Sequence, residues 1–161
     1  MLPYFMDVKI KTPDMIFNYC ARAIIQQDQK TLIMCVDDAD YYHLPGGHVA
    51  IGETSQAAVL REVQEETGLS IEIEKLVMVH EQFYEKKGRV NHSVIFYYLA
   101  KPKQKVSTAD SVRWEQNGEK TLKIELRWVT NAELANLDLR PALLKNLILN
   151  NQLNTLQYYI D

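Results

Sequence analysis

Gly47 to Leu69 reads GHVAIGETSQAAVLREVQEETGL. Thr54 is a good helix N-cap and Gly68 a good C-terminal stop, with no Pro or Gly between them, so a helix is predicted over Thr54–Thr67. At about 100° per residue, Val59, Leu60, Val63 and Thr67 fall on one side and Glu62, Glu65 and Glu66 project from the other. A charged outer face is ordinary for a surface helix. This one is crowded, however: Glu62 and Glu66 stand at i,i+4 and Glu62 and Glu65 at i,i+3, spacings at which like charges each cost roughly a few tenths of a kcal/mol. Arg61 relieves Glu65 at i,i+4, whereas Glu62 and Glu66 have no such partner on the helix. A hard divalent cation resolves that repulsion, since Mg²⁺ takes oxygen ligands from one or two carboxylates and completes its shell with waters and substrate phosphates.

Upstream, Pro45-Gly46-Gly47 punctuates strongly, because Pro45 removes a donor and the glycines reach conformations closed to other residues. Before it, Asn18–Gln27 and Thr31–Val36 read as strands joined by the polar turn Gln27-Asp28-Gln29-Lys30. Downstream, Ile71–Tyr84 and Val90–Ala100 are rich in Val, Ile, Tyr and Phe and predict a hairpin across Lys86-Lys87-Gly88-Arg89. The polar stretch Lys101–Lys120 reads as a long loop, of a length that points to function or mobility. Leu122–Val129 alternates as a strand, and Thr130-Asn131-Ala132-Glu133 has the form of a capping box. Pro141 opens a last helix with Leu143, Leu144, Leu147 and Ile148 as its buried stripe. The order of elements predicts an α/β (α+β) layered domain spanning residues 1–161.

The 161 residues carry 18 basic and 21 acidic side chains, and the net charge of −3 argues against a nucleic-acid coat or a polybasic membrane anchor. No stretch has the length and apolarity of a membrane span, and Met1–Thr12 lacks the apolar core of a secretory signal. A cytoplasmic location is therefore expected. Cys20 and Cys35 sit in apolar, strand-like segments and are expected to be buried free thiols. His80-Glu81 lacks the second histidine of a zinc-protease helix and is read as structural. Tyr41, Tyr42 and His43, just before the glycine turn, are candidates to line a base or sugar pocket. Arg22 is a candidate to pair with a substrate phosphate.

Taken together, Gly47, Glu53 after five residues, Arg61-Glu62 after a further seven, then Val63, Glu65-Glu66 and Thr67-Gly68-Leu69 resemble a complete Nudix box, the signature of the MutT-like hydrolases. Leu44-Pro45-Gly46-Gly47-His48-Val49 is similar to the usual lead-in of that family. Ala50 stands where many of its members carry an acidic residue, a departure that bears on substrate class rather than catalysis. The resemblance implies an α/β/α sandwich around a mixed sheet that holds a loop–helix–loop. It also implies Mg²⁺ (or Mn²⁺ in its place) on the Gly46 carbonyl, Glu62, Glu65 and Glu66, with Arg61 structural and Glu53 supporting the metal site or also touching the metal. The implied reaction is attack by water on the pyrophosphate linkage of a nucleoside diphosphate derivative such as a nucleoside triphosphate, nucleotide sugar or ADP-ribose. Within the family the general base is either a box glutamate, here Glu62, or a later one, and Glu115, Glu119 and Glu125 are the later candidates, Glu119 being slightly favoured. A nucleotide-binding regulator on the same fold would tolerate losses among Glu62, Glu65 and Glu66, and none is lost. An isomerase would need further catalytic groups that the sequence does not identify. The chain leaves no room for a DNA-binding module. The resemblance also allows a homodimer.

Overall fold

A computed structural model describes residues 6–161, so Met1 to Phe5, the start of the N-terminal segment considered above, lie outside the described residues. The described chain forms β1 (Lys9–Lys11), β2 (Met15–Gln27), β3 (Lys30–Val36), β4 (Gly46–His48), α1 (Ser55–Thr67), β5 (Ile71–Lys86), β6 (Arg89–Pro102), β7 (Ser111–Asn117), β8 (Lys120–Thr130), α2 (Asn131–Ala135), α3 (Ala142–Leu149) and β9 (Gln157–Ile160). The main path of the sheet runs β7-β8-β3-β2-β6-β5-β9, with β1 and β4 also paired to β2. β2 with β6 and β5 with β9 are parallel, while the remaining pairs are antiparallel, so the sheet is mixed.

Alternation along β2 divides the core in two. Ala21, Ala23 and Ile25 face one side and pack with Ala58, Val59 and Val63 of α1. Cys20 and Ile24 face the other and pack with Leu134 of α2 and Leu144, Leu147 and Ile148 of α3. The α/β/α layering follows directly. Thr54 caps α1 by accepting from Ala57 N–H at 3.1 Å, and Gly68 closes it in the left-handed conformation. Thr130 and Glu133 form the reciprocal capping box at α2. Both cysteines are free and buried. No helix among the described residues is long and apolar enough to cross a membrane.

Several expectations need correction. The stretch Lys101–Lys120 is not loop throughout, since Ser111–Asn117 pairs antiparallel with β8 as an edge strand. Its sequence, SVRWEQN, leaves Val112 and Trp114 exposed, so no buried face marks it as a strand. The hairpin strands β5 and β6 extend to Lys86 and Arg89, and their turn narrows to Lys87-Gly88. β1, β4 and β9 are too short to show a period, and only backbone pairing reveals them. On α1, Leu60 is 39% exposed and Ala58 takes its place in the buried stripe. Leu143 is half-buried at the edge of its cluster.

Candidate active site

β4 lies antiparallel on β2, pairing Gly46 with Arg22, Gly47 with Ala21 and His48 with Cys20. A side chain at Gly46 would strike the β2 backbone at Ala21 and Arg22, and its φ of 133° is one that L residues rarely adopt. At Gly47 the missing side chain makes room for a functional group, because the Glu62 carboxylate atoms lie 2.5–2.8 Å from where a Cβ would stand. With Ala58, Val59 and Val63 seated on the sheet, α1 turns Glu62 and Glu66 onto this glycine turn and leaves Glu65 half-exposed.

Arg61 ties the cluster together. Its Nε and Nη2 donate to the two carboxylate oxygens of Glu53, both at 3.0 Å, and its Nη1 donates to Glu62 at 2.8 Å and Glu65 at 3.2 Å. Nη2 also reaches the His48 carbonyl at 3.2 Å, which pins α1 to β4. Glu62 therefore has a cationic partner after all, at the adjacent position rather than a helical turn away. A planar guanidinium with five donors can bridge several carboxylates at once, a geometry that i,i+4 reasoning does not anticipate. The Glu53 side chain, 6% exposed, also accepts from Ala50 N–H at 3.1 Å. The Arg61 hydrogen bonds hold its carboxyl below the usual range despite burial.

Glu66 behaves oppositely. It accepts from Gly46 N–H at 2.8 Å, yet burial pushes its pKa up to about 8. Burial also raises Glu62, against the opposing pull of Arg61. Arg22 donates to the carbonyls of Leu44 at 2.6 Å and Gly46 at 3.3 Å, so it is engaged with the lead-in. His43 lies 3.3 Å from Arg22, and burial, then that positive charge, lowers its pKa to about 4, leaving it neutral at pH 7. The Tyr42 hydroxyl accepts from Arg127 at 2.9 Å.

Of the three later glutamates, Glu115 on β7 is the one that interacts with the box. Its carboxyl is raised first by burial and then by the charge of Glu65, and it in turn raises Glu66. β7 reaches α1 because the Arg113 guanidinium covers Gly68 at the helix C-terminus, where a cation suits the exposed carbonyls. Nothing in the sequence of an edge strand signals this approach. Glu119 sits in the exposed β7–β8 turn, and Glu125 is paired with Lys123 at 2.7 Å.

The donor set suits a hard divalent cation. It consists of oxygen atoms only, and it includes Glu66, whose charged form Gly46 N–H and Arg22 favour by less than burial opposes it. Arg61 takes up oxygens of Glu62 and Glu65 while Gly46 N–H takes one of Glu66, so among the described residues no three His, Cys, Asp or Glu side chains converge on one point.

A family profile described as NUDIX domain matches residues 18–148. The chain is 40% identical over 60 residues to an ADP-ribose pyrophosphatase of Methanocaldococcus jannaschii, a match covering 35% of this chain and 36% of that protein. It spans between a fifth and two fifths of the length of the curated relatives it matches. Among solved structures it resembles a NUDIX hydrolase from Nitrosomonas europaea, with a TM-score of 0.63 and 17% identity over 94% of this chain and 82% of that one. It also resembles an ADP-ribose pyrophosphatase from Streptococcus suis, with a TM-score of 0.60 and 18% identity over 89% and 98% of the two chains. At such identities the likeness is one of fold.

Proposed function

Because the chain belongs to the NUDIX domain family, whose hydrolases generally use divalent metal ions, we propose that it is a Mg²⁺-dependent pyrophosphohydrolase, residues 1–161 acting as one such domain. Its substrate is a nucleoside diphosphate derivative. The observation that carries the reading is the descent of two carboxylates onto one glycine turn, Glu62 over Gly47 and Glu66 on Gly46 N–H. A surface helix gains nothing from such desolvation, whereas a bound cation offsets its cost.

In this reading the Gly46 carbonyl, Glu62, Glu65 and Glu66 hold the metal. When bound, it neutralises charge on the diphosphate and makes the attacking water more acidic. Arg61 fixes Glu62 and Glu65 from behind and locks Glu53 beneath them, so the carboxylates need little reorganisation. Arg22 and neutral His43 hold the lead-in so that the Gly46 carbonyl keeps its place. Glu62, its carboxyl raised above the ordinary value by burial, is suited to accept the proton of the water. Glu115 is positioned to assist from β7.

A phosphate-release screen over nucleoside triphosphates, nucleotide sugars and ADP-ribose, with Mg²⁺ and Mn²⁺, tests the reading. Turnover abolished by EDTA is the expected result. Nucleotide binding without turnover under every condition would favour a regulatory protein instead.

A further inference from the structure

The face of the sheet that carries Arg22 continues well beyond the box. In the β2–β6 register Arg22 stands beside Tyr97, Asn18 beside Ser93 and Ile16 beside Asn91, and β6 begins at Arg89, opposite Lys86 of β5. Alternation puts all of these side chains on one face. Near Arg22 that face is apolar and covered by α2 and α3, but further along it becomes polar. Asn18, Ser93 and Asn91 are buried, and Asn18 donates to Ser93 at 3.2 Å while its carbonyl oxygen meets His48 Nε2 at 3.2 Å. Tyr84 of β5 is in register with Asn91 and is 42% exposed.

This floor ends in a concavity of about 390 Å³ lined by Ile16, Lys86, Lys87, Arg89 and Asn91. No carboxylate lines it, and among the described residues no carboxylate lies within 4.0 Å of the charged groups of Lys86, Lys87 or Arg89. Lys11, in register with Ile16, adds a fourth cation, and the nearest acidic residues along the chain are Asp14 and Glu85. Such a gathering is unexpected in a chain of net charge −3. Arg22 and Ile16 are six residues apart on one strand, about 20 Å at the usual strand rise.

We infer that this cradle is a second anion subsite, binding a phosphoryl group at the end of the substrate remote from the cleaved diphosphate. The inference rests on the pyrophosphohydrolase reading and narrows it, making the substrate a nucleotide that carries a further phosphate about 20 Å away. An arginine fork with two lysines matches phosphate oxygens. The distal phosphate has two chemical sources, the terminal phosphate of a small nucleotide derivative or a phosphodiester of a short oligonucleotide bearing a 5′-diphosphate.

Two measurements test it. In the first, ¹⁵N-labelled protein in EDTA is titrated with inorganic phosphate; shifts at the Asn91 and Arg89 amides are expected, and their loss in Lys86→Gln/Arg89→Gln. Absent shifts, or shifts that survive in the double variant, overturn the subsite whether or not the protein proves to be an enzyme. In the second, KM is compared between ADP-ribose and a derivative phosphorylated on its terminal ribose, and between a nucleoside diphosphate and a trinucleotide 5′-diphosphate. KM about tenfold lower for the phosphate-ended member of one pair is expected, and that pair identifies the source. The preference falls to about one in the double variant, persists in the exposed-site control Lys103→Gln, and weakens with salt. Equal KM within both pairs, or a preference unchanged in the double variant, overturns the inference. Failure of every compound to turn over counts against the pyrophosphohydrolase reading, while the phosphate titration still decides the subsite.

Discussion

The carboxylate of Glu66 accepts a hydrogen bond from Gly46 N–H at 2.8 Å and is nonetheless held near pKa 8. One backbone donor does not replace the water lost on burial. Because the folded pKa lies above the unfolded value of about 4.5, the folded state binds this proton more tightly. The associated stability is fully present below about pH 4.5 and is lost as pH rises through about 8. The full span corresponds to something on the order of 5 kcal/mol. In EDTA, the melting temperature is therefore expected to fall between pH 5.5 and 8.5, and Glu66→Gln should flatten that fall while abolishing turnover. A wild-type profile that rises over this range would contradict the assignment.

Divalent cation should reverse the trend. A metal that binds the charged carboxylates only in the folded state raises stability in proportion to the logarithm of its concentration. Adding millimolar Mg²⁺ at pH 8 is expected to raise the melting temperature of the wild type and to leave Glu66→Gln nearly unmoved. Differential scanning calorimetry with and without EDTA checks this, and equal shifts in the two proteins would place the cation elsewhere.

Arg61 and Glu53 form a bidentate ion pair, two parallel hydrogen bonds between groups that are largely buried. Removing one partner strands the other's charge. Arg61→Ala is expected to cost about 3 kcal/mol by denaturant unfolding. Glu53→Gln keeps part of the hydrogen bonding and should cost less, and the double variant should cost less than the sum of the two. Additive losses would mean that the pair is not coupled.

The box itself was legible because its residues are local: Thr54 and Gly68 bound the helix, and the spacing of Glu53, Arg61, Glu62, Glu65 and Glu66 lies in a single stretch. The two-sided core was legible only through the family resemblance, since Asn18–Gln27 read simply as a strand; the structure shows Ala21, Ala23 and Ile25 on one side and Cys20 and Ile24 on the other. Long-range placement was not. Glu115 approaches the helix only because β7 folds back on β8, and β7 has no buried face to give it a period. The multiple grip of Arg61 was equally hidden, since helical spacing identifies neighbours one turn apart and not a fork that reaches Glu53, Glu62 and Glu65 together.

The two glycines of the turn should respond differently. At Gly46 a side chain meets fixed β2 backbone at a positive φ, so Gly46→Ala is expected to lose roughly 3 kcal/mol or more, or to fail to fold. At Gly47 the obstacle is the far end of the Glu62 side chain, which can move. Gly47→Ala should therefore fold with a melting temperature close to wild type and lose most of its activity, because Glu62 no longer rests where it does. Unimpaired turnover in Gly47→Ala would show that the position of Glu62 does not matter.

That leaves the base. Glu62 lies over Gly47, is raised by burial and is oriented by Arg61 at 2.8 Å, whereas Glu119 occupies an exposed turn and Glu125 is paired with Lys123. Glu115 is the later glutamate whose charge interacts with Glu65 and Glu66. With saturating Mg²⁺, Glu62→Gln is expected to lower kcat by about 10²–10⁴, the usual range for a lost general base. Glu115→Gln should lower it about tenfold, because a base supplied from an edge strand assists and does not replace the one on the helix. Glu119→Gln and Glu125→Gln should stay within about twofold of wild type, as surface substitutions away from the reacting groups do. The pH dependence separates the roles further: if Glu62 accepts the proton, the acidic limb of the kcat profile disappears in Glu62→Gln and persists in Glu115→Gln. A near-normal kcat for Glu62→Gln beside a collapse in any of the other three would move the base from the box helix to that residue.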